Sequence, residues 1–259
     1  MASRLKVLRD VMSRSAQQVR DESAKILRAS PTGPEAASYL PMVNVQKESD
    51  VKQFLIGCDE DIGGLSKAKL EWDPKHKARF YGLLNGFAPP GAKLGGFQLE
   101  RSGYAGLRTA DRKTIFGSMT WDTSLYNFLQ LRIRSPPSSS ASSLRYYVNL
   151  QTEGPIATDL WQHRLWLGTS GDWEDVKIPF SDFTLTNSGT ISEEQPGMLR
   201  EKVRTVGVSV LMPNLSAGET LGDEGLSFDI GIESIGCTNL TEQEGLLPDA
   251  AAAAGPPTV

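Results

Sequence analysis

Few side chains in this chain are placed for chemistry. Its two histidines, His76 and His163, are far apart; His76 falls in the solvated run Asp73-Pro-Lys-His-Lys77 and His163 in a strand-like stretch. A structural zinc site draws four nitrogen or sulfur ligands from short, regular spacings, and no such spacing occurs here. Asp59-Glu60-Asp61, ahead of Gly63-Gly64, could begin a calcium loop. Nothing nearby supplies the remaining oxygens such a cation needs, so a solvated turn is the simpler expectation. The chain has no G-x-S-x-G elbow, C-x-x-C pair, Walker loop or G-x-G-x-x-G fingerprint. A carboxylate pair for glycoside hydrolysis cannot be singled out among 31 acidic residues. Two cysteines are too few for a disulfide framework; Cys58 and Cys237 are expected to be buried, reduced and close together. No catalytic residue, cofactor or metal is expected.

Binding chemistry is better represented. In Phe128–Arg134, Leu129, Leu131 and Ile133 alternate with Gln130, Arg132 and Arg134. In the next strand, Tyr146, Val148 and Leu150 alternate with Arg145, Tyr147 and Asn149, and in the third Trp161, Leu165 and Leu167 oppose Gln162, Arg164 and Trp166. Period-two alternation sends one set to the core and the other outward. If the three strands share a sheet, Arg132, Arg134, Arg145 and Arg164 gather around Tyr147 and Trp166 as a candidate partner-binding face. Arginine with aromatics is the composition of binding hot spots. The plainer alternative is a solvated outer sheet face whose arginines pair with neighbouring acids.

The elements that must position these residues are short strands between glycine and proline punctuation. Val51–Ile56, Ala68–Trp72, Arg79–Leu84, Phe97–Arg101, Phe128–Arg134, Leu144–Gln151, Asp159–Leu167, Trp173–Ile178, Val203–Leu211 and Leu226–Ile235 read as strands. Trp173 through Phe183 closes one of them. Val176 and Ile178 face inward, Pro179 ends the ladder because it has no N–H, and Phe180 and Phe183 plug the end of a sandwich. Trp173 is expected in that core too. Gly168-Thr-Ser-Gly171 reads as a hairpin turn, and 184–201 and 212–225 as polar, mobile excursions. The 39% hydrophobic share and 25 glycines suit one all-β domain with a sizeable core. The expected division is an arm and linker over 1–47, a sandwich over 48–238 and a disordered tail over 239–259.

Charge separates the arm from the body. Residues 1–30 carry seven basic and three acidic side chains, so a net charge of −4 leaves about −8 on the rest. An acidic body argues against nucleic acid, which demands clustered cations. Residues 3–28 read as an amphipathic helix with Leu5, Leu8, Met12, Val19, Ile26 and Leu27 on one stripe. It could be a mitochondrial presequence, a helix lying on an anionic membrane, or a helix docked on its own domain or a partner. Asp10, Asp21 and Glu22 weaken the first option. No apolar run is long enough to span a membrane.

The ordered set of pieces carries one further signal. Gly63-Gly64-Leu65-Ser66, Phe80-Tyr-Gly82, Gly95-Gly96-Phe97-Gln-Leu-Glu-Arg-Ser102, Trp121-Asp122, Leu129 to Arg134 and Arg145 to Asn149 come first. Trp173 to Phe183, Val206 to Val210 and Ile232 to Ile235 follow. Together, over roughly residues 50–238, they resemble the complex I intermediate-associated protein 30 family of respiratory-complex assembly factors. The resemblance implies an all-β, galactose-binding-like jelly-roll β-sandwich and a non-enzymatic assembly factor, or chaperone. It implies as partners a complex I membrane-arm intermediate and other assembly factors, in the mitochondrial matrix at the inner membrane, with peripheral membrane contact through 3–28. The alternative from another class is a carbohydrate-binding β-sandwich module, with Trp166 and Tyr147 as stacking platforms.

Overall fold

The computed structural model describes residues 2–27, 38–86, 93–94, 97–98, 103–135, 144–154, 156, 158–187, 189–213 and 225–239. Helix α1 (Ala2–Leu27) is followed by β1 (Tyr39–Asn44), the one-turn helix α2 (Glu48–Val51), β2 (Phe54–Cys58), β3 (Lys67–Asp73) and β4 (Lys77–Leu84). Next come β5 (Lys93–Leu94), β6 (Phe97–Gln98), β7 (Tyr104–Thr109), β8 (Arg112–Thr114) and β9 (Gly117–Met119). Then follow β10 (Phe128–Arg134), β11 (Arg145–Thr152), β12 (Asp159–Leu165), β13 (Trp173–Pro179), β14 (Thr184–Asn187) and β15 (Thr190–Ile191). Strands β16 (Val203–Leu211) and β17 (Leu226–Thr238) complete the set.

Two antiparallel sheets face one another, as the expected sandwich requires. The first runs β13-β10-β17-β4-β3, with β1 added alongside β17, and the second runs β15-β14-β12-β11-β16-β7-β2. Leu129, Leu131, Ile133, Ile230, Ile232 and Ile235 bring the inner face of the first sheet to zero exposure. Val148, Leu150, Val206, Val208 and Val210 do the same for the second. Aliphatic and β-branched side chains interdigitate between pleated faces about 10 Å apart, and their burial drives the assembly. Phe80 and Phe228 meet at 4.9 Å in that layer.

The strand-closing segment divides its aromatics differently from the sequence expectation. Phe180 and Phe183 are buried and stack at 6.2 Å, plugging the sandwich end. Trp173 is only half-buried; it lies opposite Arg134 on the outer side, with the guanidinium 5.7 Å from its ring. We therefore expect Phe180→Ala to cost about 3–5 kcal/mol, and Trp173→Ala markedly less. Thermal melts of the two variants test this, and equal losses would contradict the division.

Several other expectations are corrected. The segment at Gly168–Gly171 is not a hairpin turn, because β12 belongs to the second sheet and β13 to the first. It crosses the sandwich, with Gly168 N–H held by Glu174 Oε1 at 2.8 Å. Residues 184–201 are built in: β14 pairs with β12, and the Gln195 amide exchanges hydrogen bonds of 2.8 and 2.9 Å with the backbone of Leu185, standing in for a strand. The strand expected from Val51 starts at Phe54, since Asp50 accepts from Gln46 N and Lys47 N and starts a helical turn first. Strand β7 was missed; its inward residues Ala105, Leu107 and Thr109 are too small or polar to announce a strand.

Strand β1 lies inside the stretch expected as arm and linker, yet Leu40 pairs with Cys237 and Tyr39 with Thr238. The sandwich thus begins by Tyr39. First and last strands do lie side by side, but the first is β1, not β2. Cys58 sits on the second sheet, its thiol donating to Ser66 O at 3.4 Å, while Cys237 sits on the first beside Met42. Both are buried and free. The loop expected at Pro136–Ser143, most of the strand expected at Phe97–Arg101, and the tail beyond Asn239 lie outside the described residues.

Candidate functional site

The sheet topology splits the six candidate residues into two groups. Arg132 and Arg134 are on β10 in the first sheet; Arg145, Tyr147 and Arg164 are on β11 and β12 in the second, with Trp166 just past the end of β12. The single face imagined from alternation does not exist. Period two tells inside from outside, but it does not tell one sheet's outside from the other's.

The first group is committed to internal partners. Arg132 is held between Asp175 and Glu233, the latter at 2.7 Å, across three neighbouring strands. Arg134 is 8% exposed, donates to Lys75 O at 3.3 Å and is covered by Trp173. These contacts fasten the outer side of the first sheet.

The second group stays together. Tyr147 and Arg164 are direct cross-strand partners, and Trp166 follows Arg164 by two residues. The Arg164 guanidinium lies 5.3 Å from the Tyr147 ring and 4.8 Å from the Trp166 ring, while Nη2 donates to Leu144 O at 3.2 Å. Such a cation–π stack fixes a long side chain and removes much of the entropy cost of using it. Burial pushes the Arg164 pKa down, opposed by the Tyr147 hydroxyl beside it. Nη1 is buried with no hydrogen-bond partner among the described residues. Trp166 is 75% exposed, far more than an indole of that area normally tolerates. Arg145 donates twice to Met212 O, at 2.9 and 3.3 Å, and borders the cluster. Beside it, Gln162, Asn149 and Ser209 form a ladder with bonds of 2.7 and 2.9 Å. The surface therefore pairs an exposed aromatic anchor with a stiffened, incompletely satisfied cation. It can grip an apolar side chain and a carbonyl or carboxylate together.

No group of three or more metal-ligating side chains is arranged to hold an ion among the described residues. Asp59 is the buried member of its acidic triplet, and its oxygens accept from Ser66 N, Ser66 Oγ and Gly103 N rather than facing a cation site. Glu60 and Asp61 are exposed. His163 packs its ring 5.7 Å from Phe183.

Residues 43–228 match the family described as "Complex I intermediate-associated protein 30 (CIA30)". The chain belongs to the complex I intermediate-associated protein 30 family. It is 32% identical over 228 residues to "Complex I intermediate-associated protein 30, mitochondrial" of Neurospora crassa, covering 79% of this chain and 75% of that protein. It is 29% identical to the Drosophila melanogaster protein of that name, covering 61% of this chain and 51% of that one. For the Mus musculus protein the identity is 22%, over 79% and 62%. The chain thus spans from about half to three quarters of these relatives. Among solved structures it is similar to a family 11 carbohydrate-binding module of Clostridium thermocellum. The TM-score is 0.48 at 11% identity, covering 80% of this chain and 97% of that one, a likeness of fold alone. The family match begins in β1, which agrees with a sandwich that starts before residue 48.

Proposed function

We propose that this chain is a non-enzymatic assembly factor that binds and stabilises a membrane-arm intermediate of mitochondrial respiratory complex I. It acts in the matrix, at the inner-membrane surface, alongside other assembly factors. Family membership supports the complex I part of this reading, and its relatives are named mitochondrial. The observation that carries the binding part is Arg164 held between Tyr147 and a 75%-exposed Trp166. Tryptophan, tyrosine and arginine are the side chains that dominate binding energy at protein interfaces. The test is deletion of the gene followed by native-gel resolution of respiratory complexes. The expected result is complex I stalled at a membrane-arm intermediate with the other complexes intact. Normal complex I in a clean deletion would overturn the reading.

A second reading, a carbohydrate-binding module, has one observation in its favour. A cleft of about 340 Å³ on the outer side of the first sheet is lined by Tyr39, Gln130, Arg132, Asp175 and Glu233 among others. Fixed hydrogen-bonding side chains beside one aromatic ring suit a polyhydroxylated chain. Calorimetric titration with soluble glucan oligosaccharides checks this. Absence of saturable heat would retire it.

A further inference from the structure

Helix α1 touches the sandwich at the tip of the β8–β9 hairpin. Ser15 Oγ accepts from Ile115 N at 3.0 Å, and Thr114 Oγ1 lies 2.9 Å from Gln18 Oε1. Residues 8, 12, 15 and 19 are spaced by four, three and four, so they form one stripe along a helix. The domain covers the serine of that stripe, which is 4% exposed, and leaves its apolar members open. Leu8, Met12 and Val19 are 55%, 59% and 50% exposed, and Ile115 and Phe116 at the hairpin tip are 66% and 62% exposed. A fold that bury its apolar residues elsewhere has placed five of them around one contact.

The charges around this patch are positive. Arg9, Arg14 and Arg20 stand on the helix, and Arg112 and Lys113 on β8. Arg14 comes near Arg112, whose guanidinium lies 3.4 Å from the Trp121 ring and donates to Met119 O at 3.3 Å. Arg112 Nε is buried with no partner among the described residues; burial, with Arg14 adding repulsion, pushes this guanidinium down to about 10. On the same side, Asp111 is already engaged by Arg204 at 2.9 Å and Arg108 at 3.8 Å, and Asp10 is the acid on the described part of the helix. The rest of the chain is acidic and would be repelled by an anionic surface, which orients the molecule with this corner forward. Protruding apolar tips within a basic rim fit a headgroup layer; a protein partner would more usually receive a groove or a flat aromatic patch.

We propose that the Ile115–Phe116 tip and the Leu8–Met12–Val19 stripe form one surface that lies on an anionic phospholipid bilayer. The two apolar tip residues enter the headgroup boundary, and the arginines and Lys113 sit over lipid phosphates. This deepens the reading of the arm as a membrane-contacting element and shifts its centre to a hairpin inside the sandwich.

The test is flotation of the full chain with phosphatidylcholine vesicles, with and without phosphatidylglycerol. Wild type is expected to float with the anionic vesicles and to be released by high salt, since counterions screen exposed charge. Ile115→Ser with Phe116→Ser should weaken partitioning by about tenfold or more, because two large apolar side chains lose their insertion. Arg9→Gln and Arg20→Gln should each weaken it roughly fivefold on anionic vesicles. Thermal melts of all variants should match wild type, as these side chains are exposed. Wild type left behind by anionic vesicles overturns the proposal, as does a serine variant that floats unchanged. A serine variant that loses complex I intermediates although wild type ignores lipid assigns the surface to a protein and overturns it too. Wild type that floats while a gene deletion leaves complex I normal supports this surface and retires the assembly-factor reading instead.

Discussion

Asp59→Ala should lower the melting temperature by roughly 10 °C, the largest stability loss of any change outside the aliphatic core. Asp59 is fully buried and accepts from Ser66 N at 2.8 Å, Ser66 Oγ at 2.9 Å and Gly103 N at 2.5 Å. Ser66 Oγ in turn accepts from Asn85 N at 3.0 Å. One carboxylate therefore joins the turn after β2, the start of β3, the end of β4 and the residue before β7. Truncation leaves two buried N–H donors without an acceptor, each costing about 1–3 kcal/mol, and loses charge-assisted bonds that cannot be rebuilt. Gly64 fits this arrangement. A Cβ there would lie 2.4 Å from Asp59 Cγ, so the chain can fold over the carboxylate only without a side chain. Asp59→Asn should lose most of the same stability, because its amide N–H would face another donor. Asp61→Asn, on an exposed neighbour, should stay within about 0.5 kcal/mol of wild type. Denaturant melts of the three variants decide the matter. An Asp59→Asn variant as stable as wild type would show that the network tolerates reversal of a donor and an acceptor.

Arg164→Glu combined with Trp166→Ala should leave the protein folded and reduce recovery of complex I intermediates by well over tenfold. Loss of a hot-spot aromatic or arginine typically costs about 2 kcal/mol or more of binding, and these two are neighbours in one stack. Reversal of the charge also repels an acidic group that Arg164 would otherwise grip. Neither side chain is part of the aliphatic core, so melts should move little; the bond from Arg164 to Leu144 O is the one internal contact at risk. Trp166→Ala alone separates the anchor from the charge. Arg132→Gln on the opposite sheet supplies the control: it breaks ion pairs with Asp175 and Glu233 but leaves the stacked face untouched. It should melt slightly earlier and still recover intermediates. Stable double variants that recover intermediates at wild-type yield would reduce the face to an ordinary solvated sheet surface.

The alternation in β10, β11, β12 and β16 was legible without coordinates because one side of each strand had to be apolar to be buried. The same is true of Phe180 and Phe183, whose position after Pro179 left them only the sandwich end. The all-β class, the helix of the basic arm and the family resemblance likewise follow from the order of residues along the chain. Which strands share a sheet does not. Ladder hydrogen bonds are made by backbone groups that every residue but proline carries, so side-chain type says little about a strand's partner. That is why Arg132 and Arg164 looked like neighbours and lie on opposite faces of the molecule. It is also why Cys58 was expected beside Cys237 before β1 took that place. Polar segments such as Thr184–Asn187 became strands only through the Gln195 amide and the edge of β12. Asp59 shows the limit most plainly. Three consecutive acids look alike in sequence, and only the meeting of β2, β3 and β7 singles out the one that is buried and surrounded by donors.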